Sequence, residues 1–387
     1  SMPFLRCTRD YICSPSNSIS HQIILFQMAT PNRFLSSLLA TIICVTFLSA
    51  QEHLPRFEEI DVQHYQFSLE LNDDNDIIKG TAEIKITFLK SISEFHLDLA
   101  EKKAAVKEGM TVSKVLENGK PITFRHSEEK LFIQPMDKVT TGSSRNYTIH
   151  YSGAPGDGLI IAKNKHDDRT FFGDNWPDRA HHWLPTVDHP SDKATVEFIV
   201  TAPDHYQVIA NGHQFEETNL KDGTKLTHWK ESVPLPTKVM VIGVARFAVQ
   251  LAGDSNGTPV TSWIYPQDRE AGFGDYSLAV RVLNYYTEKI GPYPYEKLAN
   301  VQSKTRYGGM ENAGNIFYFE GSVTGKKDHE PLIAHEIVHQ WFGNSASELS
   351  WHHVWLSEGF ATYLTNLYVE DQLGEEAFRE RMLTEKK

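Results

Sequence analysis

The chemistry of this sequence concentrates in five residues, His335-Glu336-Ile337-Val338-His339. On a helix, four steps of about 100° bring the two imidazoles to within about 40° on one face, with about 6 Å of rise between them. Both can then reach one metal ion. Glu336 projects to the side, where it can hold and deprotonate a water activated by that metal without being a ligand itself. The pentad alone fits equally well a helix bearing two solvated histidines, so the third ligand and the surroundings must decide. After eighteen intervening residues stands Glu358, in Trp355-Leu356-Ser357-Glu358-Gly359-Phe360. Two histidines and one carboxylate leave the fourth position of a zinc ion open, as a catalytic site requires. The Met-turn protease pattern is excluded, because Phe342 and Ser345 occupy the places where it needs Gly and His.

The elements that must position these groups follow from apolar periodicity. From Tyr65 the period is two: Tyr65, Phe67, Leu69 and Leu71 alternate with polar residues, as do Ala82, Ile84, Ile86 and Phe88, and later Val196, Phe198 and Val200. Turn signals such as Asn72-Asp73-Asp74, Asn118-Gly119 and Asp222-Gly223 separate the runs. This predicts an antiparallel β-saddle or sandwich over roughly two hundred residues. Past about position 265 the period lengthens. Ala279, Val282, Leu283, Tyr286 and Ile290 form one helical stripe, stopped by Gly291-Pro292. A second helix is expected from Pro331 to Gly343, a third from Ser357 past Val369, and a fourth from Glu375. The third helix could fold Glu358 back onto the histidine face.

The chain has 387 residues, with 38 Lys+Arg against 50 Asp+Glu, for a net charge of −12. That balance argues against nucleic acid as a partner, because binding a phosphate backbone needs a basic face. All three cysteines, Cys7, Cys13 and Cys44, precede position 50. From Gln51 onward a disulfide framework or a Cys-ligated zinc site is excluded. Phe34 to Ala50 is uncharged and mostly apolar, preceded by Arg33 and ending Leu48-Ser49-Ala50. It reads as a cleaved signal peptide, with an uncleaved anchor as the alternative; export is expected, with no stable membrane span after cleavage. Met28 offers an alternative translation start.

Just upstream of the pentad lies Tyr307-Gly308-Gly309-Met310-Glu311-Asn312. GGMEN, HEIVHQW and WLSEG, in this order and spacing, resemble the zinc aminopeptidase (gluzincin) family of aminopeptidase N and leukotriene hydrolase. The resemblance extends through Trp183-Leu184-Pro185-Thr186-Val187-Asp188-His189-Pro190 and covers the body of the chain. It implies an α+β multidomain fold: residues 1–50 upstream, with the signal segment at 34–50; an N-terminal β domain at 51–255; and a truncated thermolysin-like, mainly helical catalytic domain at 256–387. It implies one zinc ion held by His335, His339 and Glu358, with Glu336 as general base, acting on peptide substrates with a free N-terminus. Glu311 matches the carboxylate that binds the substrate's α-amino group. Gly308, Gly309, Met310 and Asn312 belong to the same substrate-binding segment, whose glycines let a peptide backbone approach.

The sequence departs from the family in two places. Where the family carries a Glu or Gln as a second amine anchor, this chain has Trp176, a candidate pocket wall. Asp174, two residues earlier, is a candidate amine contact. The family's catalytic tyrosine lies beyond Lys387, and Tyr363 and Tyr368 do not match its spacing, so a fragment of a longer product is expected. A zinc-binding but inactive fragment and a bifunctional epoxide hydrolase are the competing readings. His181-His182, His189 and His352-His353 are expected to make ordinary polar contacts.

Overall fold

A computed structural model describes residues 58–385; the apolar run 34–50, read as a signal segment, lies outside them. Alternating apolar residues build the first long strands, β1 (Ile60–Glu70) and β2 (Ile78–Phe88), whose inward side chains, among them Phe67 and Ile86, are completely buried. There follow β3 (Phe95–Asp98), β4 (Gly109–Glu117), β5 (Lys120–Pro121), β6 (Phe124–Ser127), β7 (Lys130–Ile133) and β8 (Ser144–Ala154). After them come β9 (Leu159–Lys163), β10 (Arg169–Gly173), β11 (Lys193–Pro203), β12 (Gln207–Ala210), β13 (His213–Asn219) and β14 (Thr224–Pro236). An eight-stranded sheet runs β13-β14-β11-β1-β2-β8-β4-β5, and β3, β7 and β6 form a small sheet beside it. The expectation of a purely antiparallel sheet is corrected at its centre. There β1 and β11 run parallel, with Phe67 opposite Phe198. A parallel pair needs a long crossover rather than a hairpin, and here the intervening chain builds further strands of this and the other sheets.

The apolar run from Val239 to Val249 divides between the buried β15 (Ile242–Ala245) and the start of β16 (Ala248–Ser255), which is largely exposed. β15 joins β12, β10 and β9 in a four-stranded sheet. β16 instead forms a hairpin with β17 (Thr258–Ile264), so the boundary expected between residues 255 and 256 falls at the tip of this hairpin. The second half of the chain is not simply helical. β17 continues into a five-stranded sheet with β18 (Leu298–Ser303), β20 (Asn315–Phe319) and the edge strand β19 (Gly309–Met310). β18 is buried along its whole length and runs parallel to both neighbours. Buried parallel strands lose the polar alternation that betrays a half-exposed one. Its polar residues are satisfied instead: the Gln302 amide donates to Asp268 at 2.8 Å, and the Ser303 hydroxyl donates to the Tyr318 carbonyl at 2.9 Å.

Among the described residues, five α-helices follow: α1 (Arg269–Tyr276), α2 (Leu278–Lys289), α3 (Glu330–Val338), α4 (Val354–Leu373) and α5 (Glu375–Glu385). α2 buries the predicted stripe of Ala279, Val282, Leu283 and Tyr286. That stripe packs in one apolar cluster with Leu298 and Ile316 of the sheet and Ile333 and Ile337 of α3. Among the described residues, no helix is long and apolar enough to cross a membrane.

Candidate metal centre

α3 opens with Pro331 in its first turn, where a missing N–H costs nothing. It is shorter than expected and ends at Val338, inside the pentad, although His339 keeps helical dihedrals. Beyond it the backbone widens: the N–H groups of Asn344, Ser345 and Ala346 bond to the carbonyls of His339, Gln340 and Trp341. Gly343, at φ 115°, makes the reversal that brings the chain back toward α4. A Cβ on Gly343 would lie 2.2 Å from Ser357 Oγ and 3.1 Å from His339 Nδ1, so the two helices meet closely here.

That meeting assembles the donors. His335 Nε2 and His339 Nε2 are 3.2 Å apart, and each is 3.6 Å from Glu358 Oε2. Three atoms bound tetrahedrally at about 2.1 Å from one ion would stand about 3.4 Å apart, so the residues fit a zinc ion. His339 Nδ1 lies 3.0 Å from the Phe342 carbonyl, which can only accept. The proton of the neutral ring is therefore fixed on Nδ1, and the Nε2 lone pair faces the other donors.

The electrostatics of this cluster favour a cation. Burial opposes protonation of His339, but Glu311, Glu358 and Glu336 outweigh it and raise its pKa to about 9. The neighbouring His335 and His339 hold the Glu358 carboxyl well below the usual range. Burial pushes the Glu336 carboxyl upward, with the charges of Glu311 and Glu358 adding to the effect and His339 opposing it.

The donors open onto a cavity of about 380 Å³. Its lining is in part polar, with Glu311, His335, Glu336, His339 and Glu358, and in part apolar, with Trp176, Tyr307, Met310 and Leu332. Gly308 and Gly309 line it as well. Trp176 and Tyr307 meet edge-to-face, with centroids 5.6 Å apart. Glu311 is only 5% exposed, and its Oε1 has no hydrogen-bond partner among the described residues. Its backbone is clamped, because the Glu311 carbonyl accepts from Gln340 Nε2 at 2.9 Å and from Asn344 Nδ2 at 2.6 Å. Gln340 also accepts the Gly314 N–H at 2.9 Å, tying α3 to the segment on both sides of Glu311. The sequence reading did not single out Gln340 or Asn344. Their position one and five residues beyond the second histidine was the only available signal.

Two expected contacts are not found in the cavity wall. Asp174 is 1% exposed and engaged elsewhere: Oδ1 accepts from Arg179 at 2.6 Å, and Oδ2 accepts the Arg306 backbone N–H at 3.2 Å. It is therefore corrected from amine contact to buried anchor, while Trp176 does line the cavity. Asn312 is fully buried and does not line it either. Tyr363 is exposed, and Tyr368 donates its hydroxyl to Glu330 in the helix packing. Of the other histidines, His181 pairs with Asp188 at 2.7 Å and His189 Nδ1 lies 2.9 Å from the Ser191 hydroxyl.

Comparison with known proteins gives matches to both halves of the chain. The peptidase M1 N-terminal domain matches residues 61–239, and the peptidase family M1 domain matches residues 275–387. Glutamyl aminopeptidase of Homo sapiens is 28% identical over 223 residues, covering 55% of this chain and 23% of that protein. The probable aminopeptidase 2 of Sulfurisphaera tokodaii is 25% identical over 322 residues, covering 79% of this chain and 39% of that protein. A solved M1 zinc metallopeptidase from Deinococcus radiodurans is similar in fold, with a TM-score of 0.70 at 25% identity, over 82% of this chain and 72% of that one. The chain thus spans about a quarter of the length of the glutamyl aminopeptidases it matches.

Proposed function

The chain belongs to peptidase family M1, and on that premise we propose that it is a zinc aminopeptidase, hydrolysing the first peptide bond of peptides with a free N-terminus. One observation carries the reading. A donor triad with metal spacing lines the same cavity as Glu311, a buried carboxylate whose Oε1 has no partner among the described residues. On this reading α3, α4 and the five-stranded sheet form the thermolysin-like catalytic part.

His335, His339 and Glu358 would hold one zinc ion. When bound, it supplies a Lewis acid that polarises the scissile carbonyl and makes water acidic enough to attack near neutral pH. Glu336, which lines the cavity beside both histidines, takes the proton from the attacking water and returns it to the leaving amine. Glu311 accepts a charge-assisted hydrogen bond from the substrate's α-ammonium group. With the amine fixed there, only the first peptide bond is in register with the donors. β19 is the unpaired edge of its sheet, so an extended peptide can add to it through backbone hydrogen bonds.

The test is hydrolysis of aminoacyl-arylamides by the zinc-loaded chain. Chelation should abolish it and zinc restore it. Glu336→Gln should keep its zinc, by elemental analysis, yet lose about a thousandfold in kcat. Acetylating the substrate amine should abolish cleavage. Equal cleavage of the acetylated and free substrates, or full activity in Glu336→Gln, would overturn the reading.

A further inference from the structure

Deepening that reading, and resting on it, we infer that the cavity selects an uncharged, apolar N-terminal residue (aliphatic or aromatic) and rejects an acidic one, although several of the chain's relatives are named glutamyl aminopeptidases.

Among the described residues, the cavity lining contains three carboxylates, Glu311, Glu336 and Glu358, and no lysine or arginine. Two arginines lie nearby in the chain, and both are committed elsewhere. Arg306, adjacent to Tyr307, donates to Asp157. Arg179 is buried and donates to Asp174 at 2.6 Å, with Asp157 at 3.4 Å. An acidic side chain entering this space would lose its water and, apart from the zinc ion that Glu358 already faces, meet no cation in the described lining, while Glu311 and Glu336 present like charges. Desolvation and repulsion both act against it.

The polar part of the lining has no carboxylate left over for a basic side chain. Glu358 is the third metal donor, Glu336 handles the proton and Glu311 holds the α-amine. The remaining surface is the panel of Trp176, Tyr307, Met310 and Leu332. Trp176 and Tyr307 are braced against each other at an interplanar angle of 86°. An aliphatic or aromatic side chain gains there by removing apolar area from water on both sides. A lysine or arginine can lay its methylenes on the same panel with its charge turned outward, and so ranks between the two. A cavity of about 380 Å³ lies at the small end of ligand sites, which run from about 300 to 1,000 Å³. It holds one residue and its reacting bond.

The test separates binding from turnover. Isothermal calorimetry on the zinc-loaded full chain would compare L-leucinamide, L-phenylalaninamide, L-argininamide and L-glutamic acid α-amide. Hydrolysis of the four matching arylamides would be measured in parallel. The leucine and phenylalanine amides should bind at least about tenfold more tightly than the glutamate amide, with arginine between them, and kcat/KM should differ by about a hundredfold or more. Trp176→Ala should reduce the leucine-to-glutamate and phenylalanine-to-glutamate binding ratios about tenfold. Trp176→Lys should raise glutamate relative to leucine. Glutamate binding as tightly as leucine, arginine binding most tightly, or no amide binding at all would overturn the inference. Selective binding without any hydrolysis would leave it standing and overturn the aminopeptidase reading alone.

Discussion

A Cβ on Gly309 would sit 2.3 Å from Glu336 Oε1 and 2.5 Å from its carboxyl carbon. No real contact is that short, so either the strand edge or the carboxylate must move. Glycine is needed here for proximity rather than for an unusual dihedral angle. Gly309→Ala should therefore lower kcat about a hundredfold, the usual effect of misplacing a reacting group by about 1 Å, while zinc content stays at one ion per chain. A kcat within twofold of the parent would show that Glu336 does not need this position. Donor types at this scale were legible from spacing: His335, His339 and Glu336 could be assigned from their places on one helical turn. The fate of Asp174 was not. Both Asp174 and Trp176 lie past the end of β10, so strand alternation does not apply to them, and Asp174 is taken up by Arg179 and the Arg306 backbone N–H. Nothing local in the sequence announces that Arg179 will pair with Asp174.

At the scale of elements, the hinge is the turn between α3 and α4. Gly343 holds φ 115°, a conformation that costs any other residue, and its missing side chain leaves room for Ser357 Oγ beside His339. Gly343→Ala should destabilise the chain by about 1–3 kcal/mol, from backbone strain and the clash. It should also weaken zinc binding about tenfold to a hundredfold by turning His339. Denaturant unfolding and chelator competition measure the two effects; unchanged zinc affinity in a destabilised variant would separate the turn from the metal centre. The helices of this region were readable because an apolar stripe recurs at the helical period, as in α2. The strands β18 and β20 were not. They are short, parallel and buried on both faces, and β18 carries Asn300, Gln302 and Ser303, whose hydrogen bonds are made within the fold.

At the scale of the whole molecule, the N-terminal sheet and the metal region are joined by buried charge. Lys238, just after β14, pairs with Glu348 of the α3–α4 connection at 2.7 Å, and both side chains are almost wholly inaccessible, at 1% and 0%. Lys193 of β11 reinforces the junction by donating to the carbonyls of Asn344 at 3.3 Å and Ser345 at 2.8 Å. Lys238→Met would leave the Glu348 carboxylate buried without its cation. It should cost about 3–5 kcal/mol, whereas Lys238→Met combined with Glu348→Leu should recover most of that loss. Urea unfolding of the single and double variants tests this; a double variant as unstable as the single one would refute the assignment. The sequence by itself determined the donor types, their spacing along α3, the half-exposed strands and the absence of cysteine ligands from Gln51 onward, because these depend on residue identity and local period. Only the tertiary structure decided that Glu358 stands 3.6 Å from both histidines, that Glu311 is held by Gln340 and Asn344, and that Trp176 rather than Asp174 lines the cavity. Those outcomes depend on where distant segments come to rest, and turns, ion pairs and shared core burial fix that together.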